Sequence, residues 1–179
     1  QMRTSDKTRG QISGWGDHVS VVLDCGQHAF ESAIATIADV KMHFSCAGAI
    51  RGCCEMLCAV DGCFVVKTRD VTISGMRFRG TSGATRAGVI VVGTGSAVTT
   101  VRLEHLHFAS FPARAIMVHG GDGGAGVCPP GVRCKAASVE IVDTRIVNCS
   151  ASGHGGGMLV SDFSAVVVED STFVGNVAY

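Results

Sequence analysis

Val71-Thr-Ile-Ser-Gly-Met-Arg-Phe78, Val101-Arg-Leu-Glu-His-Leu-His-Phe108, Val139-Glu-Ile-Val-Asp-Thr-Arg-Ile146 and Val166-Val-Val-Glu-Asp-Ser-Thr-Phe173 align without a gap. A fainter fifth copy is Ala35-Thr-Ile-Ala-Asp-Val-Lys-Met42. Positions 1, 3, 6 and 8 are apolar in every copy except at Thr144 and Ser171. Alternation at period two marks a strand with one face buried. The three-residue step between positions 3 and 6 breaks that period, so each copy reads as two short strands joined at a corner.

A further short apolar strand precedes each of the four strong copies: Gly62-Cys-Phe-Val-Val66, Gly88-Val-Ile-Val-Val92, Ala115-Ile-Met-Val118 and Gly157-Met-Leu-Val160. Three strands and three turns per repeat describe one coil of a solenoid. The repeats start 36, 30, 38 and 27 residues apart, whereas such a coil needs roughly twenty. The excess loops out at corners while the strands stay stacked. The expected fold is all-β, a right-handed single-stranded parallel β-helix with disulfide-rich loops. A β-sandwich also has short strands and glycine turns, but it gives no reason for one eight-residue template to recur with the same face inward. Val19–Cys25 reads as a strand. Ala29–Met42 reads as strand, although Phe30, Ile34, Ile37 and Lys41 also fit a helical spacing. The β-helix domain is placed at 19–179, with a cysteine-rich loop at 46–63, an inserted loop at 119–138 and a polar lead-in at 1–18.

The chain has 179 residues, 15 basic and 15 acidic, and 24 glycines. One domain of that size can bury a core, and the balanced charge points to no nucleic acid and no anionic membrane. No apolar run approaches the roughly 20 residues of a membrane span. The chain begins with Gln1 and carries no apolar signal stretch, so it reads as a piece of a longer protein with its targeting information elsewhere.

Nine cysteines are present. Cys46, Cys53, Cys54, Cys58 and Cys63 crowd into one stretch without the paired CxxC spacing of a zinc site. No metal and no cofactor is therefore expected, and disulfides in an oxidising, extracellular or cell-surface compartment are. Cys128 and Cys134 would close the Pro129-Pro-Gly-Val-Arg loop, where Pro-Pro-Gly reverses the chain. The crowded five, together with Cys25, would make three more bridges in an order left open, and Cys149 is the odd thiol. Asn148-Cys149-Ser150 is an N-glycosylation sequon.

Gly155-Gly-Gly-Met-Leu-Val160, followed by Val166-Val-Val-Glu-Asp-Ser-Thr-Phe-Val-Gly-Asn176, resembles the repeat of polymorphic outer-membrane-type surface β-helix proteins. Those proteins pair a GGA-plus-apolar start with an FxxN exit. Here Gly157 stands where that family has Ala, and only the last repeat keeps both halves. The resemblance implies surface display, adhesion or assembly. Gly153-His154-Gly155 is similar to the GHG motif of polygalacturonases, which belong to the pectin-lyase-like β-helices. That motif implies His154 as a catalytic residue, but Asp143-Thr-Arg precedes it in place of Asn-Thr-Asp, and the chain has no Asp-Asp pair.

Stacking the copies creates outward columns. Position 5 carries Gly75, His105, Asp143 and Asp170; position 7 carries Arg77, His107, Arg145 and Thr172. Coils about 4.8 Å apart would set Asp143 and Asp170 near the separation of a retaining glycosidase pair. Acidic residues are also ordinary turn formers. The glycine runs Gly120–Gly124 and Gly93–Gly95 lack the Lys-Ser/Thr of a phosphate loop. The expected function is an extracellular structural or adhesive module, meeting further coils, other subunits and glycans. The alternative is a polysaccharide lyase or glycoside hydrolase using Asp143, Asp170 and His154.

Overall fold

In the computed structural model the period-two stretches form strands. The residues it describes are 10–15, 17–30, 32–36, 40–47, 52–58, 62–93, 99–120, 137–162 and 164–179. A leading strand β1 (Gly10–Trp15) precedes a first coil of β2 (His18–Leu23), β3 (Gly26–Phe30) and β4 (Ile34–Ala35). The second coil is β5 (Lys41–Cys46), β6 (Cys54–Cys58) and β7 (Phe64–Val66). The third is β8 (Val71–Ser74), β9 (Met76–Gly80) and β10 (Val89–Val92). The fourth is β11 (Thr99–Glu104), β12 (His107–Ala109) and β13 (Ile116–His119). The fifth runs through β14 (Ala137–Val142), β15 (Arg145–Val147), the two-residue β16 (Ser150–Ala151) and β17 (Met158–Ser161). The last comprises β18 (Ser164–Glu169), β19 (Thr172–Val174) and β20 (Val177–Ala178).

Corresponding strands pair in parallel from coil to coil. They form sheet A (β1-β2-β5-β8-β11-β14-β18), sheet B (β3-β6-β9-β12-β15-β19) and sheet C (β4-β7-β10-β13-β17). The exception is β1, which lies antiparallel on β2 and covers that edge of sheet A with part of the segment expected only as a lead-in. This is an all-β, solenoid-like architecture. Each long crossover between neighbouring strands of one sheet is made by the rest of a coil, which is what parallel pairing requires.

The template columns are in register. Val71, Val101, Val139 and Val166 are successive partners in sheet A; Phe78, Phe108, Ile146 and Phe173 are successive partners in sheet B. Their apolar faces meet inside, where Phe44, Phe64, Phe78 and Phe108 form a line of ring contacts 4.7 to 6.0 Å apart. Phe111 extends it and fills the space above Gly88, where a Cβ would meet the ring at 2.7 Å. Thr144, the polar exception at position 6, is buried with its hydroxyl donating to the Val142 carbonyl at 3.0 Å. A satisfied hydroxyl is tolerated where an orphan would cost about 1–3 kcal/mol.

The fifth copy is corrected. Met42 is not the last residue of a template but the first, paired with Val71, and Phe44 follows it opposite Ile73. The second half of that template is Cys54–Cys58, opposite Met76–Gly80. A corner insertion separates the two halves, so a contiguous eight-residue pattern could not find them.

Candidate functional site

Many of the corners turn on a residue in the left-handed region. Between sheets A and B these are Gly75, His105, Asp143 and Asp170, with φ of 70°, 55°, 44° and 48°. Between B and C they are Ser110, Asn148 and Gly175; between C and A, Asp70 and Asp162. Glycine, Asn and Asp bear this conformation at the lowest cost, which explains why position 5 favours them. The corners also carry the backbone ladder onward: Gly75, His105 and Asp143 donate their N–H to Glu104, Val142 and Glu169 carbonyls at 3.1–3.2 Å. Asp143 and Asp170 therefore have a full structural reason to be where they are. The Asp143 carboxylate, moreover, is held by His105 Nδ1 at 2.9 Å.

His154 stands elsewhere. It lies on the glycine-rich connection into sheet C, exposed, with its backbone carbonyl accepting from Arg114 Nη2 at 2.9 Å. Asp143 and Asp170 occupy the A–B corner, so the three residues expected for hydrolysis do not share one corner. A second His–Asp pair, His119 Nδ1 and Asp162 at 2.7 Å, sits at the C–A corner. Its sequence separation hid it, since only the strand register brings the two together.

The outward faces of sheets A and B differ in charge. On sheet A, Arg102 bonds Glu104 at 2.7 Å on its own strand and Glu140 on the next. Those two bonds, Glu104 first, raise the Arg102 guanidinium above its ordinary value. On sheet B, Glu55, Arg77, His107, Arg145 and Thr172 form one column in register. A groove of about 350 Å³ opens there, lined by Gly52, Arg77, His105, His107, Asp143 and Arg145. Burial, and after it the charges of Arg77 and Arg145, push the His107 imidazole below its ordinary value.

Six cysteines are bridged as Cys25–Cys53, Cys46–Cys54 and Cys58–Cys63. The first joins the A–B corners of the first and second coils, the second closes the A–B corner of the second coil on itself, and the third closes the B–C corner of the second. The sulfurs of Cys25, Cys46 and Cys53 lie within 4.8 Å of one another. All three are bridged, however, and only a thiolate makes a strong metal ligand. Cys149 is free and buried, and burial pushes its thiol up. Cys128 and Cys134 lie outside the described residues. Asn148 is exposed at its corner, with its N–H donated to the Val174 carbonyl at 2.9 Å. The asparagine of the FxxN exit is explained: Asn176 accepts from the Cys149 N–H at 2.9 Å and donates to the Ile146 carbonyl at 3.0 Å. It fastens the last coil to the one below.

That last coil has no coil over it among the described residues. Ile141 and Ile146 are 0% exposed, while Val168 and Phe173, their counterparts one coil on, are 42% and 40% exposed. Val177 and Tyr179 continue the apolar surface. No helix among the described residues is long and apolar enough to cross a membrane. No family model, no curated protein and no solved structure matches the chain.

Proposed function

We propose that this chain is a structural β-helix module of an extracellular assembly, with its last coil as the stacking surface. The exposed inward side chains of β18 and β19 carry the reading. Each large apolar side chain covered there would contribute about 1.5–3 kcal/mol, and an open row of strand N–H and C=O groups is a template for further pairing. The occupant we assign is another β-coil, because only a strand edge satisfies both the apolar columns and the backbone groups. A right-handed wind follows from the strong preference of parallel β crossovers. Three disulfides support an oxidising compartment, and adhesion would be served by the outward faces. The carbohydrate-active alternative has no comparable support, given the separate corners of His154 and Asp143.

Sedimentation velocity over a concentration series tests the reading. The chain should associate reversibly at micromolar concentration, and Val168→Lys should abolish that while circular dichroism stays unchanged. A monodisperse monomer throughout the series, or a Val168→Lys variant that associates equally well, would overturn it.

A further inference from the structure

We infer that the groove on the outer face of sheet B is a binding site for a tetrahedral oxyanion, a sulfate or phosphate group, held by Arg77, His107 and Arg145. The inference does not rest on the assembly reading, since the groove lies on the outward face of β9, β12 and β15, whereas the stacking reading uses the inward side chains and the open edge of the last coil.

The first support is uncompensated charge. Arg77, His107 and Arg145 succeed one another on β9, β12 and β15, strands about 4.8 Å apart. Two guanidinium groups therefore flank one imidazole. The neighbouring carboxylates bond other partners: Glu55, next in the column on β6, accepts from Gln27 Nε2 at 2.5 Å, and Asp143 at the groove wall accepts from His105. Among the described residues neither Arg77 nor Arg145 has a carboxylate within ion-pair distance. Arg79, two residues along β9 on the same outward face, adds a further positive charge. Sheet A provides the contrast, because its arginine there, Arg102, is neutralised on both sides by Glu104 and Glu140.

The second support is construction. Gly52 carries φ of 76°, and a Cβ there would meet Arg77 Cγ at 2.9 Å and Cδ at 3.1 Å. The Arg77 stem is thus laid along a bare glycine. That glycine is fixed by its N–H to the Gly75 carbonyl at 3.2 Å and by the adjacent bridge from Cys53 to Cys25. Donors arriving from three strands suit a ligand whose oxygens point in several directions, as those of a tetrahedral anion do; a planar carboxylate presents two. Arginine forks match such oxygens with strong, charge-assisted bonds. The depressed His107 agrees with this geometry, since an imidazole between two guanidinium groups takes up its proton more readily once a counter-charge arrives. Binding therefore tightens as pH falls. The charged and titratable groups facing His107 are Arg77, Arg79, Arg145, Glu55, His105 and Asp143.

The test is a titration of the whole chain with sodium sulfate, inorganic phosphate and a sulfated oligosaccharide, against sodium chloride at matched ionic strength. The readouts are the His107 ring resonances and calorimetric heat. Sulfate and phosphate should move the His107 resonances where chloride does not, and should raise its titration midpoint. Arg77→Gln and Arg145→Gln should each weaken binding about tenfold or more; Gly52→Ala should weaken it by displacing Arg77; Arg102→Gln on sheet A should leave it unchanged. All four changes are at the surface or in a corner, and thermal melts check that the fold persists. Tighter binding of the sulfated oligosaccharide than of free sulfate would identify a glycan ester as the source, and equal binding would identify the free anion. The proposal is overturned if none of the three ligands exceeds chloride, or if Arg102→Gln weakens binding as much as Arg77→Gln and Arg145→Gln do.

Discussion

The first two coils and the four that follow solve the same problem by different means. In the later coils the A–B corner is a single left-handed residue, and its N–H joins the ladder to the next coil, as at Gly75, His105 and Asp143. In the second coil that corner is expanded between Cys46 and Cys54, with Ala47 donating to the Leu23 carbonyl at one side of it and Gly52 to the Gly75 carbonyl at the other. There two disulfides, Cys25–Cys53 and Cys46–Cys54, tie the corner to itself and to the coil below. Hydrogen bonding through a tight corner and covalent stapling across a loose one are alternative ways of keeping strands in register. The difference also decides where the core is deepest. The ring line from Phe44 to Phe108 crosses from the stapled coils into the regular ones, and neither half has a core of its own.

The sharpest way to break the comparison is to cut that shared core. Phe108→Ala, at 0% exposure between Phe78 and Phe111, should cost about 3–5 kcal/mol in urea unfolding. Phe173→Ala, the same template position on the uncovered coil, should cost less than half as much. Equal losses would mean that the last coil is covered in solution.

Removing a staple comes next. The Cys25→Ser, Cys53→Ser double variant should lose about 3–4 kcal/mol by chain entropy, and the Cys58→Ser, Cys63→Ser variant, with its much shorter ring, about 2 kcal/mol. Hydrogen exchange should show the loss of protection concentrated in the first two coils. Uniform loss throughout the chain would show that the two regions unfold as one unit.

Corners of the regular coils are expected to be less sensitive. Asp143→Val should cost about 1–2 kcal/mol, because a β-branched side chain is strained at positive φ. Asp143→Gly should cost little, apart from the lost His105 contact. The reverse order in thermal melts would assign Asp143 a role beyond the turn.

The smallest effect is a pH dependence in the sheet B groove. Because folding lowers the His107 value, the unfolded chain binds the proton more readily. Stability should therefore start to fall as pH drops through about 6.5 and be fully present above it. Denaturation curves at a series of pH values should show a flatter profile for His107→Gln than for the unaltered chain.

The sequence was legible where the template is contiguous. Val71, Val101, Val139 and Val166 could be aligned by eye because the corner between positions 3 and 6 has constant length. The same template is present in the second coil, as Met42, Phe44, Cys54 and Met56, but the corner insertion splits it, and Ala35–Met42 imitated it out of register. Disulfide order was illegible for a related reason. Six cysteines allow fifteen connectivities, and it is the pairing of β2 with β5 and of β3 with β6 that brings Cys25 to Cys53 and leaves the other four to bridge within the second coil. Position 7 could be read as an outward column, yet its charge balance could not, because it depends on Gln27 occupying Glu55 and His105 occupying Asp143.

The staples also set a mechanical limit. Each regular coil is held by side-by-side backbone bonds and by packing, so tension applied at Tyr179 opens them one after another, as a zip opens tooth by tooth. Asn176 is the first catch, since its side chain fastens the last coil to the Cys149 N–H and the Ile146 carbonyl. Unzipping continues coil by coil to Cys54, where the Cys46–Cys54 and Cys25–Cys53 bridges hold the second coil to itself and to the first. The tether released by then is about 400 Å at full extension, and a reducing agent lengthens it further. Single-molecule pulling would register this as a staircase with a fixed last step that moves only when thiol is added.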